Sequence, residues 1–75
     1  MYRIGTDDAN IFTPGVYIVS GDTSNLPEGA NVGYLVVFSG YGKYALQFYC
    51  ATNARKLYFR SADNNNWKTW VQLGT

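Results

Sequence analysis

The chain has 75 residues, 47% of them hydrophobic and 15% charged, which is enough for one small domain and no more. Its net charge of +1 argues against a nucleic-acid partner, because nucleic-acid readers carry a clustered basic face. One cysteine and no histidine exclude an intrachain disulfide and disfavour a structural metal site. We therefore expect a single domain over 1–75 without cofactor or metal, for which self-association is the remaining route to stability.

The first half of the chain predicts two strands. A β-branched and aromatic run at 16–19 follows Pro14 and Gly15 and predicts the first strand. After a polar loop over 20–31, the continuous apolar run at 33–39 predicts a strand buried on both faces. This run is too short to span a bilayer, and the N-terminus has no signal-peptide pattern, so we expect a soluble protein.

The second half predicts three further strands with short turns between them. The strands are expected at 43–50, 55–61 and 67–73, and the turns at 39–42, 51–54 and 63–66. Helical periodicity is close to absent. The fold class predicted from these elements is all-β: an antiparallel meander of four to five strands, forming a small sandwich- or barrel-like domain.

The hairpin across 51–54 predicts two distinct faces. With Cys50 opposite Arg55, alternation along the strands divides the side chains cleanly between the two faces. The face expected in the core holds Leu46, Phe48, Leu57 and Phe59. The face expected to point outward holds Gln47, Tyr49, Lys56, Tyr58 and Arg60. In the last strand, Trp67 and Trp70 are three apart, so they point to opposite faces unless a bulge brings them together.

Aromatic residues make up 17% of the chain, more rings than so small a core is expected to bury. Catalysis has little support, since there is no histidine to act as a base and the five carboxylates fall in loops. A saccharide site is easier to build, because tyrosine supplies both a flat ring and a hydroxyl. The candidate ligand-binding residues are Tyr41, Gln47, Tyr49, Tyr58, Arg60, Trp67 and Trp70. The same residues would also suit a subunit interface or the domain's own framework.

Several short motifs occur together in a fixed order. They are Asp-Ala-Asn at 8–10, Thr-Pro-Gly-Val-Tyr at 13–17, Asn-Leu-Pro at 25–27 with Gly29, Gln-Phe-Tyr at 47–49, Leu-Tyr-Phe-Arg at 57–60, and Trp67 with Trp70. In this combination, the chain resembles the knob domains of bacteriophage tail fibres and R-type pyocin tail fibres over about residues 7–74.

The resemblance implies a virion tail-fibre module, synthesised in the host cytoplasm, that works outside it as a homotrimer. Its partner would be a bacterial surface polysaccharide or lipopolysaccharide, bound without catalysis or membrane insertion. Two alternatives remain open: a structural capping or trimerisation module of a fibre, and a cell-wall-targeting module of a phage lytic enzyme.

Overall fold

A computed structural model of the chain describes Gly5 and residues 8–41, 43–52 and 55–73. Six strands form one antiparallel sheet, which confirms the predicted all-β meander. The strands are β1 (Gly15–Val19), β2 (Gly33–Tyr41), β3 (Tyr44–Ala51), β4 (Lys56–Asp63), β5 (Asn66–Trp67) and β6 (Val71–Leu73). Within the described ranges, no helix has the length and hydropathy needed to cross a membrane.

The strands follow one another through the sheet in chain order from β1 to β5, and β6 also pairs with β4. Between β3 and β4, Phe48 lies opposite Phe59, and Cys50 lies opposite Leu57. The register expected from sequence is therefore wrong by two residues. Because side chains alternate with a period of two, this slip leaves the same residues together on each face.

The two faces of the sheet have different surroundings. One face, called here the covered face, packs against the loops before and after β1, so the core lies between the sheet and a layer of loops. The buried hydrophobic cluster on this side consists of Ala9, Tyr17, Val19, Leu35, Val37 and Tyr49, with Ile11, Leu26, Ala30 and Trp70 packed against it. The opposite face, called here the open face, has no layer over it in the described part of the chain.

β2 was expected to be buried on both faces, and that expectation is wrong. Leu35 and Val37 are buried on the covered face, whereas Tyr34 and Phe38 on the open face are 41% and 55% exposed. A continuous apolar run usually marks a strand enclosed by layers on both sides. Here it marks a strand with a layer of loops over one face and an apolar second face that no described residue covers.

The C-terminal segment forms two short strands instead of one. β4 and β5 are joined by a tight turn in which Asn64 and Asn65 have φ angles of 53° and 69°. Asparagine tolerates this left-handed backbone better than most residues, as the turn prediction supposed. Residues 68–70 leave the strand conformation before β6 begins, so the alternation predicted for a single strand is interrupted there.

Candidate functional site

Six of the seven predicted site residues lie on or beside the covered face, and three of these six are buried in the interior. Gln47 and Tyr49 are fully buried, and Arg60 is 5% exposed. The expectation that Gln47, Tyr49 and Arg60 point to solvent is wrong, and the predicted core face is the open one. The physical reason is that backbone groups of distant loops supply the hydrogen bonds that make burial of these polar side chains favourable.

The guanidinium of Arg60 is the centre of a buried polar cluster. Its Nε donates to Gln47 Oε1 at 2.9 Å, and its Nη2 donates to Ala9 O at 3.0 Å and to Asn10 Oδ1 at 2.9 Å. Gln47 Nε2 also donates to Ala9 O, at 2.6 Å, and to Ile11 O at 3.2 Å. Two neighbouring strands thereby hold the segment that precedes β1 against the sheet.

The two tryptophans contact the same guanidinium. The Cζ of Arg60 lies 4.1 Å from the ring centroid of Trp67 and 4.5 Å from that of Trp70. Both rings reach Arg60 because the strand is interrupted between them. The two tryptophans therefore lie on the same side of the sheet and not on opposite faces. Trp70 Nε1 donates to Asn25 O at 2.9 Å, and Trp67 packs on Phe12 with centroids 4.9 Å apart. The pair contributes cation–π contacts and packing to the framework.

The electrostatics of this cluster favour a fixed charge. Burial lowers the pKa of Arg60 to about 10, and the charge of Asp8 opposes that shift, so the guanidinium stays protonated at neutral pH. The pKa of Asp8 lies below its ordinary value of 3.8, chiefly because the backbone N–H of Asn10 donates to its carboxylate, with a second donation from the Asn25 amide. These contacts tie the loop after β1 to the segment before it.

Tyr49 also has a framework role. Its hydroxyl donates to Asn31 O at 2.6 Å and accepts from Asn31 N at 3.1 Å, so both backbone groups of one loop residue are satisfied by a single side chain. The ring packs against Tyr58, with centroids 5.9 Å apart. The loop that precedes β2 is thereby fixed relative to β3 and β4.

Tyr58 is the predicted site residue that reaches a cavity at the surface. It is half-buried and forms part of a cleft of about 320 Å³ between the loop before β2 and the ends of β3 and β4. The cleft is lined by Glu28, Gly29, Ala30, Asn31, Tyr49, Ala51, Lys56 and Tyr58. A half-exposed phenol therefore lies beside a carboxylate, an ammonium group and an amide.

Tyr41 lies at the end of β2, where it pairs with Tyr44, and its side chain is outside the described part of the structure. Its predicted role stays a prediction. Two other cleft residues, Glu28 and Asn31, are not predictable from the sequence, because the spacing of residues in a polar loop does not show which strand the loop packs against. The sequence pattern groups Lys56 with Tyr49 and Tyr58, and all three line the cleft, but the pattern does not predict that Glu28 lines it too.

The open face is the second surface of interest. Its apolar part consists of Val16, Ile18, Tyr34, Val36, Phe38, Leu46, Phe48, Cys50, Leu57, Phe59, Val71 and Leu73. Alternation continues the same face through Tyr44, Ser61 and Asp63 toward the turn between β4 and β5. Phe48 lies near its centre, with ring centroids 6.2 Å from Phe38 and 5.5 Å from Phe59. Clustered apolar exposure of this kind typically marks a contact surface in a soluble protein.

Comparison with protein-family models, curated proteins and solved structures finds no significant match to this chain. The resemblance to tail-fibre knob domains therefore rests on the order and spacing of the sequence motifs.

Proposed function

We propose that this chain is a non-enzymatic knob module of a phage or pyocin tail fibre that binds bacterial surface carbohydrate as a homotrimer. The observation that carries the binding part of the proposal is the cleft at Tyr58. In that cleft a partly exposed aromatic ring stands beside side chains that both donate and accept hydrogen bonds. This is the combination that a pyranose ring requires, since sugars have apolar C–H faces and hydroxyl edges.

Each group in the cleft has a separate role in this proposal. The Tyr58 ring offers a platform for one face of a sugar. Lys56 donates to ring hydroxyls or to an acidic substituent, and Glu28 accepts from hydroxyls on the opposite side. The cleft wall is pre-organised, because the Tyr49 hydroxyl holds both backbone groups of Asn31. A fixed wall lowers the entropy lost on binding.

Binding at a single cleft is expected to be weak. Each neutral hydrogen bond contributes about 1 kcal/mol net, and a shallow cleft offers few of them. Three copies on one fibre would raise the apparent affinity through effective concentration, without any new contact. A multivalent presentation is therefore the appropriate form in which to look for binding.

The test is a glycan array probed with the chain displayed on a multivalent support. Tyr58→Ala removes the platform and Lys56→Ala removes the ammonium group, and each is expected to lower the array signal at least about tenfold. Lys68→Ala is the matched control, because Lys68 is an exposed lysine that does not line the cleft. Thermal melting of each variant separates loss of binding from loss of fold.

Two results would count against the carbohydrate proposal. One is the absence of signal on bacterial polysaccharides at any valency. The other is equal signal for Lys56→Ala, Tyr58→Ala and the unaltered chain, which would move binding away from the cleft. Without any glycan signal, the structural alternative, a fibre-capping or trimerisation module, becomes the better proposal. The observation that favours this alternative is the open apolar face of the sheet.

A further inference from the structure

The open face forms an ordered field of apolar side chains in rows across the sheet. One row runs through Val16, Val36, Phe48, Phe59 and Val71, which are register partners from β1 to β4 and β6. The next row runs through Ile18, Tyr34, Cys50, Leu57 and Leu73. None of these ten residues carries a charge. A sheet face in contact with water normally alternates polar side chains into such rows, so this pattern is typical of a buried face.

The exposed area of this face is large for a domain of this size. Seven of its side chains are between 37% and 55% exposed: Ile18, Tyr34, Phe38, Leu46, Leu57, Val71 and Leu73. At roughly 150–200 Å² for a whole side chain, they present on the order of 500 Å² of apolar surface. The partly exposed residues between them add to that area. Stable interfaces bury about 600–1,000 Å² per partner, so the face comes close to the lower end of the area that a stable homo-oligomer buries.

We propose that the open face is the surface on which copies of this chain pack against one another. The two rows named above are uncharged, which suits a second copy, because copies that pack on these rows bring no like charges together. At its centre, the ring of Phe48 contacts the rings of both Phe38 and Phe59. Desolvated aromatic residues at the centre of a patch are typical of positions that dominate binding energy.

This inference specifies the surface of the proposed homotrimer, but it rests on the open face alone and does not require a glycan. Its failure is distinguishable from failure of the carbohydrate proposal, because self-association is measured without ligand. The partner that we propose for this face is a second copy of the chain. If the face instead binds a different protein or a lipid surface, the purified chain stays monomeric.

The first experiment is sedimentation velocity of the full chain over a range of concentrations. We expect a dimer or trimer at micromolar concentrations. Phe38→Glu and Val71→Glu place a charge on the open face and are expected to weaken association at least about tenfold. Gln72→Glu is the matched control: Gln72 is exposed and lies between Val71 and Leu73 on β6, but it pairs with Tyr58 and so belongs to the other face of the sheet. Association of Gln72→Glu is expected to be unchanged.

A second measurement uses the unaltered chain, in case the charged variants do not fold. Cys50 is the only cysteine in the sequence and lies in the second row of the open face. Its rate of alkylation is expected to fall several-fold as the chain concentration rises through the association midpoint. A monomer at about 100 µM, or an alkylation rate that does not depend on chain concentration, would overturn the proposal. Folded Phe38→Glu and Val71→Glu variants that still associate would also overturn it.

Discussion

Gln47 and Arg60 lie directly opposite each other on β3 and β4, and Arg60 Nε donates to Gln47 Oε1 at 2.9 Å. Both side chains also donate to the same acceptor, the carbonyl oxygen of Ala9. A buried guanidinium is stable only when its donors are paired, and a side-chain amide can accept from it while donating elsewhere. The pair therefore serves as the attachment point between the sheet and the segment that precedes β1.

Replacement of Gln47 tests this attachment. Gln47→Leu keeps a similar volume but leaves Arg60 Nε without its acceptor in a buried position, at an expected cost of about 1–3 kcal/mol in the free energy of unfolding. Urea denaturation followed by tryptophan fluorescence measures the change. Gln72→Leu is the control, because Gln72 is an exposed glutamine on β6 and is expected to stay within about 0.5 kcal/mol of the unaltered chain. Equal midpoints for the two variants would contradict the framework role of Gln47.

Arg60→Lys provides a separate test of geometry against charge. Lysine keeps the positive charge but cannot place two planar donors on Gln47 and Ala9 while stacking between Trp67 and Trp70. We expect a loss of about 2–4 kcal/mol in the free energy of unfolding, close to that expected for breaking a buried charge network. A lysine variant as stable as the unaltered chain would show that charge alone is sufficient at this position.

Alternation in β3 and β4 was enough to predict which residues share a face, because side chains alternate along any strand. It was not enough to predict which face is covered. Leu46 and Phe48 were the more hydrophobic choice for the core, but burial of Gln47 and Arg60 depends on acceptors at Ala9 and Asn10, far away in the sequence. Local periodicity contains no information about such contacts.

The candidate site was predictable to a similar extent. The sequence pattern grouped Tyr58 and Lys56 on one face with the buried residues, and both do line the cleft. Glu28 and Asn31 could not be added, since the loop that holds them has no periodic pattern. Trp67 and Trp70 could not be assigned to one side either, because the break in the strand between them has no strong sequence signal.

Acid destabilisation is expected to depend on Asp8. The pKa of Asp8 is lowered in the folded state, so its ionised form stabilises the fold above pH 3.8, and that contribution is lost as the pH falls through its folded-state pKa. Asp8→Asn removes this titration. The variant is expected to melt at a lower temperature at pH 7 and to show a flatter decline between about pH 5 and pH 2. Melting curves at several pH values measure both effects. If the melting temperatures of the two proteins fall in parallel as the pH is lowered, Asp8 is not responsible for the acid destabilisation.

The Tyr49 hydroxyl is expected to control the rigidity of the loop beside the cleft. Tyr49→Phe removes the acceptor of the Asn31 N–H and the donor to the Asn31 carbonyl in one change. We expect faster hydrogen exchange at the Asn31 amide, measured by NMR, together with weaker glycan binding. The amide of Ala30 is an internal control, because it donates to Pro27 O and not to Tyr49. An Asn31 amide that exchanges at the same rate in both proteins would contradict this role.

Gly33 lies on β2 opposite Ala51 of β3, where there is no room for a side chain. A Cβ there would lie 2.8 Å from Tyr49 Cε1 and closer still to the carbonyl oxygen of Cys50, so the backbone of β3 would have to move. Gly33→Ala is expected to cost about 1–3 kcal/mol through overpacking. Gly40→Ala, in the same strand, meets nothing within 4 Å and is expected to be neutral or slightly stabilising. Chemical denaturation compares the stability of the two variants. Equal stability would contradict the close approach, because it would show that β3 leaves room for a Cβ at position 33. The Gly33 comparison also bears on the cleft, because the Tyr49 ring that would be displaced carries the hydroxyl that fixes Asn31.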